Sequence, residues 1–157
     1  MKNDLSSFNP GSKGLFFLSL GGIGEIGANC YLYGCDGKWI MIDLGLAFAD
    51  EKFPGIELLV PNIDFLENIG ENLEAIIISH GHEDHAGALA YFAKKINCPV
   101  YAFSFTKLLI ENRLTEFGIL DQIKIIEINN KSKLKLNNFT IEFIATTHSI
   151  PQPSAIT

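Results

Sequence analysis

The sequence has few cysteines and no long apolar run. Cys30, Cys35 and Cys98 are its three cysteines, and an odd number of thiols in a chain without an export signal argues against a disulfide framework. No apolar run approaches the roughly 20 residues that cross a bilayer, and the polar N-terminus lacks the apolar segment of a signal peptide. We expect a cytoplasmic protein with buried free thiols and no membrane partner.

Positive charge is also scarce. The 12 lysine and arginine residues are outnumbered by 18 aspartates and glutamates, which gives a net charge of −6. This balance argues against binding nucleic acid by bulk electrostatics, although bound cations would reverse the sign locally. Internal repeats and low-complexity segments are absent from the sequence. The length fits one globular domain, predicted over residues 14–157, with residues 1–13 as a flexible leader.

Branched and aromatic runs between turn residues predict a mixed α and β chain. Helices are predicted over 86–96 and from Ser104 to 117, with a short helical turn near 63–68. Hairpins are expected at the front of the chain and strand–helix–strand units behind them. The predicted strands lie at about 15–20, 29–34, 38–43, 74–79, 99–103, 123–127, 133–136 and 139–145.

A glycine loop, GGIGEIG, follows the first predicted strand. Gly22, Gly24 and Gly27 have the G-x-G-x-x-G spacing, which indicates a dinucleotide site only when a helix begins directly after it. The following segment instead predicts two strands joined by a tight turn at Asp36-Gly37. A dinucleotide site is therefore disfavoured.

Three of the four histidines lie in the segment SHGHEDHAG, directly after the predicted strand EAIIIS. Side chains in a turn after a strand fan out around its end. His80 and His82 offer two nitrogens to one cation, and Asp84 and His85 are candidates for a second. Imidazole and carboxylate are typical ligands of zinc and similar metals. Glu83 is expected to point away.

The fourth histidine, His148, also follows a predicted strand, TIEFIATT. Strand ends are where α/β sheets usually place their sites. We expect His80, His82 and His148 to share one cation, while Asp84 and His85 face a second, weaker position. The less favoured interpretations are a solvated loop without function and a purely structural metal site, which usually contains cysteine.

The segment H-x-H-x-D-H, from His80 to His85, resembles the signature of the metallo-β-lactamase superfamily. The resemblance implies an α+β fold, a four-layer αββα sandwich with two metals at one edge. Asp43, after the strand KWIMID, resembles the acidic residue that supports the metal ligands in this superfamily. The alternative is that Asp43 only caps a strand at a turn.

Within the superfamily, the chain resembles ribonuclease J of the β-CASP branch. The blocks LGGIGEIGANCYLY, IDLGLAFADEKFPGIELLVPN, SHGHEDHAGALAY and THSIP match that family in order. The resemblance places the glycine loop, with Gly22, Gly24, Glu25 and Gly27, beside the metal cleft, where backbone approaches the metals or an RNA phosphate. A compact turn that needs glycine torsions is the alternative.

The resemblance implies metal-dependent hydrolysis of RNA phosphodiesters, by endonuclease or 5′–3′ exonuclease action. It implies two divalent ions, zinc first with manganese or magnesium as alternatives, and Asp84 and His85 as catalytic residues. Only partial occupancy by these ions is expected in this chain. The alternatives are another hydrolase of the superfamily, acting on a thioester or phosphodiester, and a non-catalytic remnant that binds metal or takes part in assembly.

The match to the family is incomplete. The bridging aspartate and a further histidine of the family's site, the second half of the sandwich and the β-CASP domain are absent from this chain. We therefore expect residues 14–157 to be the first half of a metallo-β-lactamase domain, inactive alone and prone to form homo-oligomers through an uncovered sheet. Gln152 stands where the family usually has an acidic residue, and no role is predicted for it.

Overall fold

The computed structural model describes residues 14–130 and 133–157, so the predicted leader 1–13 lies outside the described residues. The described helices are α1 (Phe65–Ile69), α2 (Glu83–Ala86), α3 (Leu89–Phe92) and α4 (Ser104–Glu116). The strands are β1 (Leu15–Gly21), β2 (Cys30–Cys35), β3 (Lys38–Ile42), β4 (Ala47–Phe48), β5 (Leu58–Leu59), β6 (Leu73–Ile77), β7 (Val100–Phe103), β8 (Ile125–Ile128), β9 (Lys133–Leu136), β10 (Phe139–Ala145) and β11 (Ser154–Ile156).

A six-stranded mixed sheet, in the order β1-β2-β3-β6-β7-β8, carries the site. Its first three strands are antiparallel, and β3, β6, β7 and β8 run parallel. Asp36 and Gly37 join β2 to β3 with φ of 49° and 76°, as the predicted tight turn requires. Because parallel strands end at the same sheet edge, the residues after β3 and β6 are brought together.

Along the central strands, successive side chains point to opposite faces of the sheet, and two apolar layers result. Trp39 and Met41 of β3 face the core beneath the helices, whereas Ile40 and Ile42 face the opposite side. That second side packs against a three-stranded antiparallel sheet in the order β11-β10-β9. A helix layer and two stacked sheets confirm the α+β class, and the alternation is the period-two pattern of strands buried on both faces.

Two secondary-structure predictions need correction. The helix expected over 86–96 is divided into α2, α3 and a 3₁₀ turn at Ala93–Lys95, and it begins earlier, at Glu83. The interruption lies at Gly87 and Ala88, where the main-chain N–H of Ala88 donates to Leu44 O instead of continuing a helix. Strands β4, β5 and β11 were not predicted, because segments of two or three residues are too short to show a period.

Candidate metal centre

His80, His82 and His148 converge at the end of the six-stranded sheet. One ligand nitrogen from each lies within 4.8 Å of the others, and the Nε2 of His80 is 3.2 Å from the Nδ1 of His82. Two nitrogens bound tetrahedrally at about 2.1 Å from one zinc ion lie about 3.4 Å apart. The spacing and the neutral imidazole donors therefore fit one divalent cation, and we name these residues the three-histidine group.

The group is assembled from two distant segments. His80 and His82 follow β6, and His82 has extended backbone directly before α2. His148 lies in the loop between β10 and β11. The Ser154 N–H donates to Ser79 O over 3.2 Å, and the Thr146 N–H donates to Pro153 O over 3.1 Å. These bonds tie the His148 loop to the residue that precedes His80.

Asp84 and His85 lie beside the three-histidine group. The imidazole rings of His80 and His85 are 4.0 Å apart between centroids, and Asp84 Oδ2 is 3.4 Å from His85 Nε2. The structure therefore brings the predicted second pair of residues next to the first group, and the two side chains converge. We name them the Asp84–His85 pair.

Asp43 connects the three-histidine group with the Asp84–His85 pair. Its buried carboxylate accepts hydrogen bonds from the Ser79 N–H at 2.7 Å, the Ser79 hydroxyl at 2.9 Å and His85 Nδ1 at 2.7 Å. Ser79 Oγ is also 2.9 Å from His80 Nδ1. This network assigns the ring protons to Nδ1 of His80 and His85, so both Nε2 lone pairs face the site.

Asp43 has a strained backbone, with φ of 60°. A non-glycine residue in the left-handed region costs of order 1 kcal/mol or more and persists where surrounding contacts fix it. The three hydrogen bonds to its carboxylate supply those contacts. The alternative that Asp43 only caps a strand does not account for a carboxylate that reaches one histidine directly and another through Ser79.

The pKa values of two histidines move in opposite directions. Burial, followed by the neighbouring His85, His82 and His148, lowers the pKa of His80 to about 4. Burial also lowers the pKa of His85, but the hydrogen bond and charge of Asp43 outweigh it, so the net shift is upward. At neutral pH the His80 ring is therefore a neutral imidazole, and its Nε2 lone pair is available to a cation.

The glycine loop packs behind the Asp84–His85 pair. A Cβ at Gly22 would lie 2.3 Å from the Tyr31 hydroxyl, and one at Gly27 would lie 2.9 Å from Ala47 Cβ. Glu25 turns back to accept from the Gly22 N–H at 3.1 Å, and Gly24 faces open space. β2 follows the loop, so no helix N-terminus lies behind these glycines.

Sequence reasoning missed Asn29 and Ser79 and assigned no role to Gln152. Asn29 donates to Asp84, 55 positions away. Gln152 Oε1 accepts from the Ser104 hydroxyl at 3.1 Å and the Phe105 N–H at 2.9 Å, which caps α4 and anchors the His148 loop. The blocks LGGIGEIGANCYLY, which contains Asn29, and THSIP, which precedes Gln152, were visible in the sequence. The distant residues that these two side chains contact were not.

Comparison with known proteins agrees with this geometry. The metallo-β-lactamase superfamily model matches residues 23–148, so this chain belongs to that superfamily. Among solved structures, the metallo-β-lactamase fold protein YhfI from Bacillus subtilis is similar with a TM-score of 0.60 at 18% identity, covering 90% of this chain and 56% of that one. At this identity the likeness concerns the fold alone.

Within the superfamily, curated relatives confirm the resemblance to ribonuclease J. Ribonuclease J of Sinorhizobium meliloti is 40% identical over 146 residues, and Ribonuclease J 1 of Streptococcus pyogenes serotype M3 is 35% identical over 150 residues. The matches cover 90% and 96% of this chain, respectively. The chain spans 26% of the length of each relative.

Proposed function

We propose that this chain supplies the histidine-rich part of the metal centre of a ribonuclease that hydrolyses RNA phosphodiesters in RNA processing and decay. The convergence of His80, His82 and His148 on one point carries the proposal. Kinship with ribonuclease J suggests RNA as the substrate. The proposed reaction is metal-dependent hydrolysis, by endonuclease or 5′–3′ exonuclease action.

The residues of the site are proposed to form two cation positions. The three-histidine group holds the first cation, and the Asp84–His85 pair faces the second. Two divalent cations, zinc first with manganese or magnesium as alternatives, would lower the pKa of a bound water and neutralise phosphate charge when bound. Asp84 is proposed to orient that water, and Asp43 to hold His80 and His85 in the required tautomers.

The glycine loop is proposed to border the substrate cleft. Its open side at Gly24 leaves main-chain groups accessible, and Ile26 is 97% exposed. Backbone N–H groups without side-chain cover suit the approach of a phosphate. The overall charge of −6 does not oppose RNA binding here, since two divalent cations add four positive charges at the site.

The test compares RNA cleavage by two proteins. The 157-residue chain is expected to give no measurable turnover, since the resemblance implies a bridging aspartate and a further histidine that it lacks. A ribonuclease that contains this segment together with those ligands and the β-CASP domain is expected to cleave 5′-labelled RNA only with divalent metal, and to lose activity on His82→Ala.

Chelator-sensitive cleavage by the 157-residue chain that disappears in His82→Ala would contradict its proposed inactivity. Metal-independent cleavage by the longer protein, or full activity of its His82→Ala variant, would contradict the proposed function. Cleavage of a thioester but not of RNA would favour another hydrolase of the superfamily.

Self-association and a cytoplasmic location stay predictions. β1 is an edge strand of the six-stranded sheet and exposes Leu15 and Phe17 by 69% and 51%, which invites pairing with another chain. Within the described ranges, no helix has the length and apolarity to cross a membrane. Sedimentation velocity is expected to detect oligomers, and a single monomeric species at high concentration would contradict this.

A further inference from the structure

Asn29 links the glycine loop to the Asp84–His85 pair. It lies directly before β2, and its Nδ2 is 3.2 Å from Asp84 Oδ2, 3.0 Å from Asp84 O and 3.2 Å from His85 Nε2. Its main-chain N–H also donates to Asp84 O over 3.0 Å. One residue therefore contacts both side chains of the pair.

The orientation of the Asn29 amide follows from its neighbours. The Tyr31 hydroxyl donates to Asn29 Oδ1 over 2.8 Å. A flipped amide would place Oδ1 against the main-chain carbonyl oxygen of Asp84, which can only accept a hydrogen bond. Nδ2 must therefore face Asp84.

The glycine at position 22 makes room for this arrangement. A Cβ there would lie 2.6 Å from Asn29 Oδ1 and 2.3 Å from the Tyr31 hydroxyl, and the φ of 82° is itself costly for other residues. Gly45 has a similar effect on the other side, since its Cβ would lie 1.7 Å from Asp84 O. Gly22 therefore leaves space for the Asn29 and Tyr31 side chains, and Gly45 allows close approach to the backbone of the pair.

Asn29 Nδ2 therefore donates to Asp84 Oδ2 and lies beside His85 Nε2, the two atoms that converge on the proposed second cation position. Asp43 keeps the ring proton of His85 on Nδ1, so Nε2 carries a lone pair that a cation can use. Asn29 also donates two hydrogen bonds to the main-chain carbonyl oxygen of Asp84, one from its main-chain N–H and one from Nδ2. These two bonds hold Asn29 in place without using the side chains of Asp84 and His85. This gives Asn29 an anchored position from which to orient the pair.

We propose that Asn29 is a positioning residue, which holds Asp84 Oδ2 turned toward His85 Nε2, so that these two atoms converge for the second cation. The inference rests on the proposed metal-dependent function. It differs from the support given by Asp43, because Asn29 contacts the Asp84–His85 pair and has no recorded bond to the three-histidine group.

Cobalt titration of the 157-residue chain, followed by visible absorption, tests the proposal. Asn29→Ala is expected to weaken the second binding phase by about 10–100-fold and to leave the first phase unchanged. Asn29→Leu has a similar size but neither donates nor adds a carboxylate ligand, so it should be equally defective. Tyr31→Phe keeps the amide but removes its partner, and a smaller loss is expected.

Asn138→Ala is the matched control, since its Nδ2 donates to Cys35 O in a turn outside the site. It is expected to leave both phases unchanged. Equal weakening of both phases in Asn29→Ala, or no change in the second phase, would overturn the positioning role. Parent-like binding of the second ion in Asn29→Leu would also overturn it, because donation would then be unnecessary.

A metal-free readout separates this inference from the proposed function. Nitrogen NMR of the imidazoles, recorded with chelator, should show a shifted His85 Nε2 signal in Asn29→Ala and an unchanged one in Asn138→Ala. If the 157-residue chain binds only one cobalt ion, the proposed function of the longer protein still stands, because this chain lacks the bridging aspartate and the further histidine that the resemblance implies. The NMR result then decides the role of Asn29. An unchanged His85 signal in Asn29→Ala would then overturn the role of Asn29.

Discussion

The three-histidine group and the Asp84–His85 pair lie side by side but are held in different ways. The first joins two distant segments, and its nitrogens face one another. The second is contiguous in sequence and is fixed by Asn29 and Asp43. In the proposed site, the ligands of the first cation therefore meet only in the folded chain, whereas the orientation of the second pair depends on surrounding hydrogen bonds.

Removing one imidazole from the three-histidine group should have the largest effect. His82→Ala is expected to lower the zinc affinity of the first position by more than the roughly 10–100-fold loss typical of a supporting residue, because it removes a ligand. Isothermal titration calorimetry measures the affinity. The Asn138→Ala variant should bind zinc like the parent chain, and unchanged affinity in His82→Ala would refute the assignment.

Asp43→Asn should affect both parts of the site, since Asp43 contacts His85 directly and His80 through Ser79. We expect a loss of about 10–100-fold in affinity at both cation positions. Asp50→Asn, on an exposed carboxylate that pairs with Lys52, is the control. A loss confined to one position, measured in the same cobalt titration, would show that Asp43 does not link the two parts.

The pH dependence of stability should distinguish the two parts in the metal-free chain. His80 has its pKa lowered from 6.5 to about 4, so the unfolded chain binds a proton first as the pH falls. Stability is then lost between those pH values, by up to about 3 kcal/mol. His85, with a raised pKa, contributes stability below its unfolded value that disappears as the pH rises through its folded value.

Urea denaturation in chelator, repeated from about pH 9 to pH 4, measures this dependence. His80→Asn should flatten the loss below pH 6.5, and His85→Asn should flatten the change on the alkaline side. An unchanged profile in His80→Asn would show that His80 is not held neutral by burial.

Gln152→Ala should have the smallest effect. It removes two hydrogen bonds at the start of α4 and loosens the loop that carries His148, so we expect a loss of about 1 kcal/mol in stability. Gln152→Glu keeps both acceptors and places a negative charge at the positive end of the helix, so it should be at least as stable. Thermal unfolding checks both, with Gln122→Ala as the control.

The strands could be predicted from the sequence more closely than the residues that hold the candidate ligands in place. Hydrophobic alternation and the Asp36-Gly37 turn locate β2 and β3 closely, because both signals are local. The histidine segment was equally visible because its residues are contiguous. Asn29 was missed because its partners lie 55 and 56 positions away. Gln152 was missed because a cap supplied by a distant loop has no local signature.

The central proposal is that His80, His82 and His148 share one cation, and crystallography with zinc tests it most directly. An anomalous-scattering peak is expected about 2.1 Å from one nitrogen of each histidine, with His80 and His85 bonded to Ser79 and Asp43 through Nδ1. A zinc ion bound elsewhere, or His148 turned into solvent away from His80 and His82, would contradict the account.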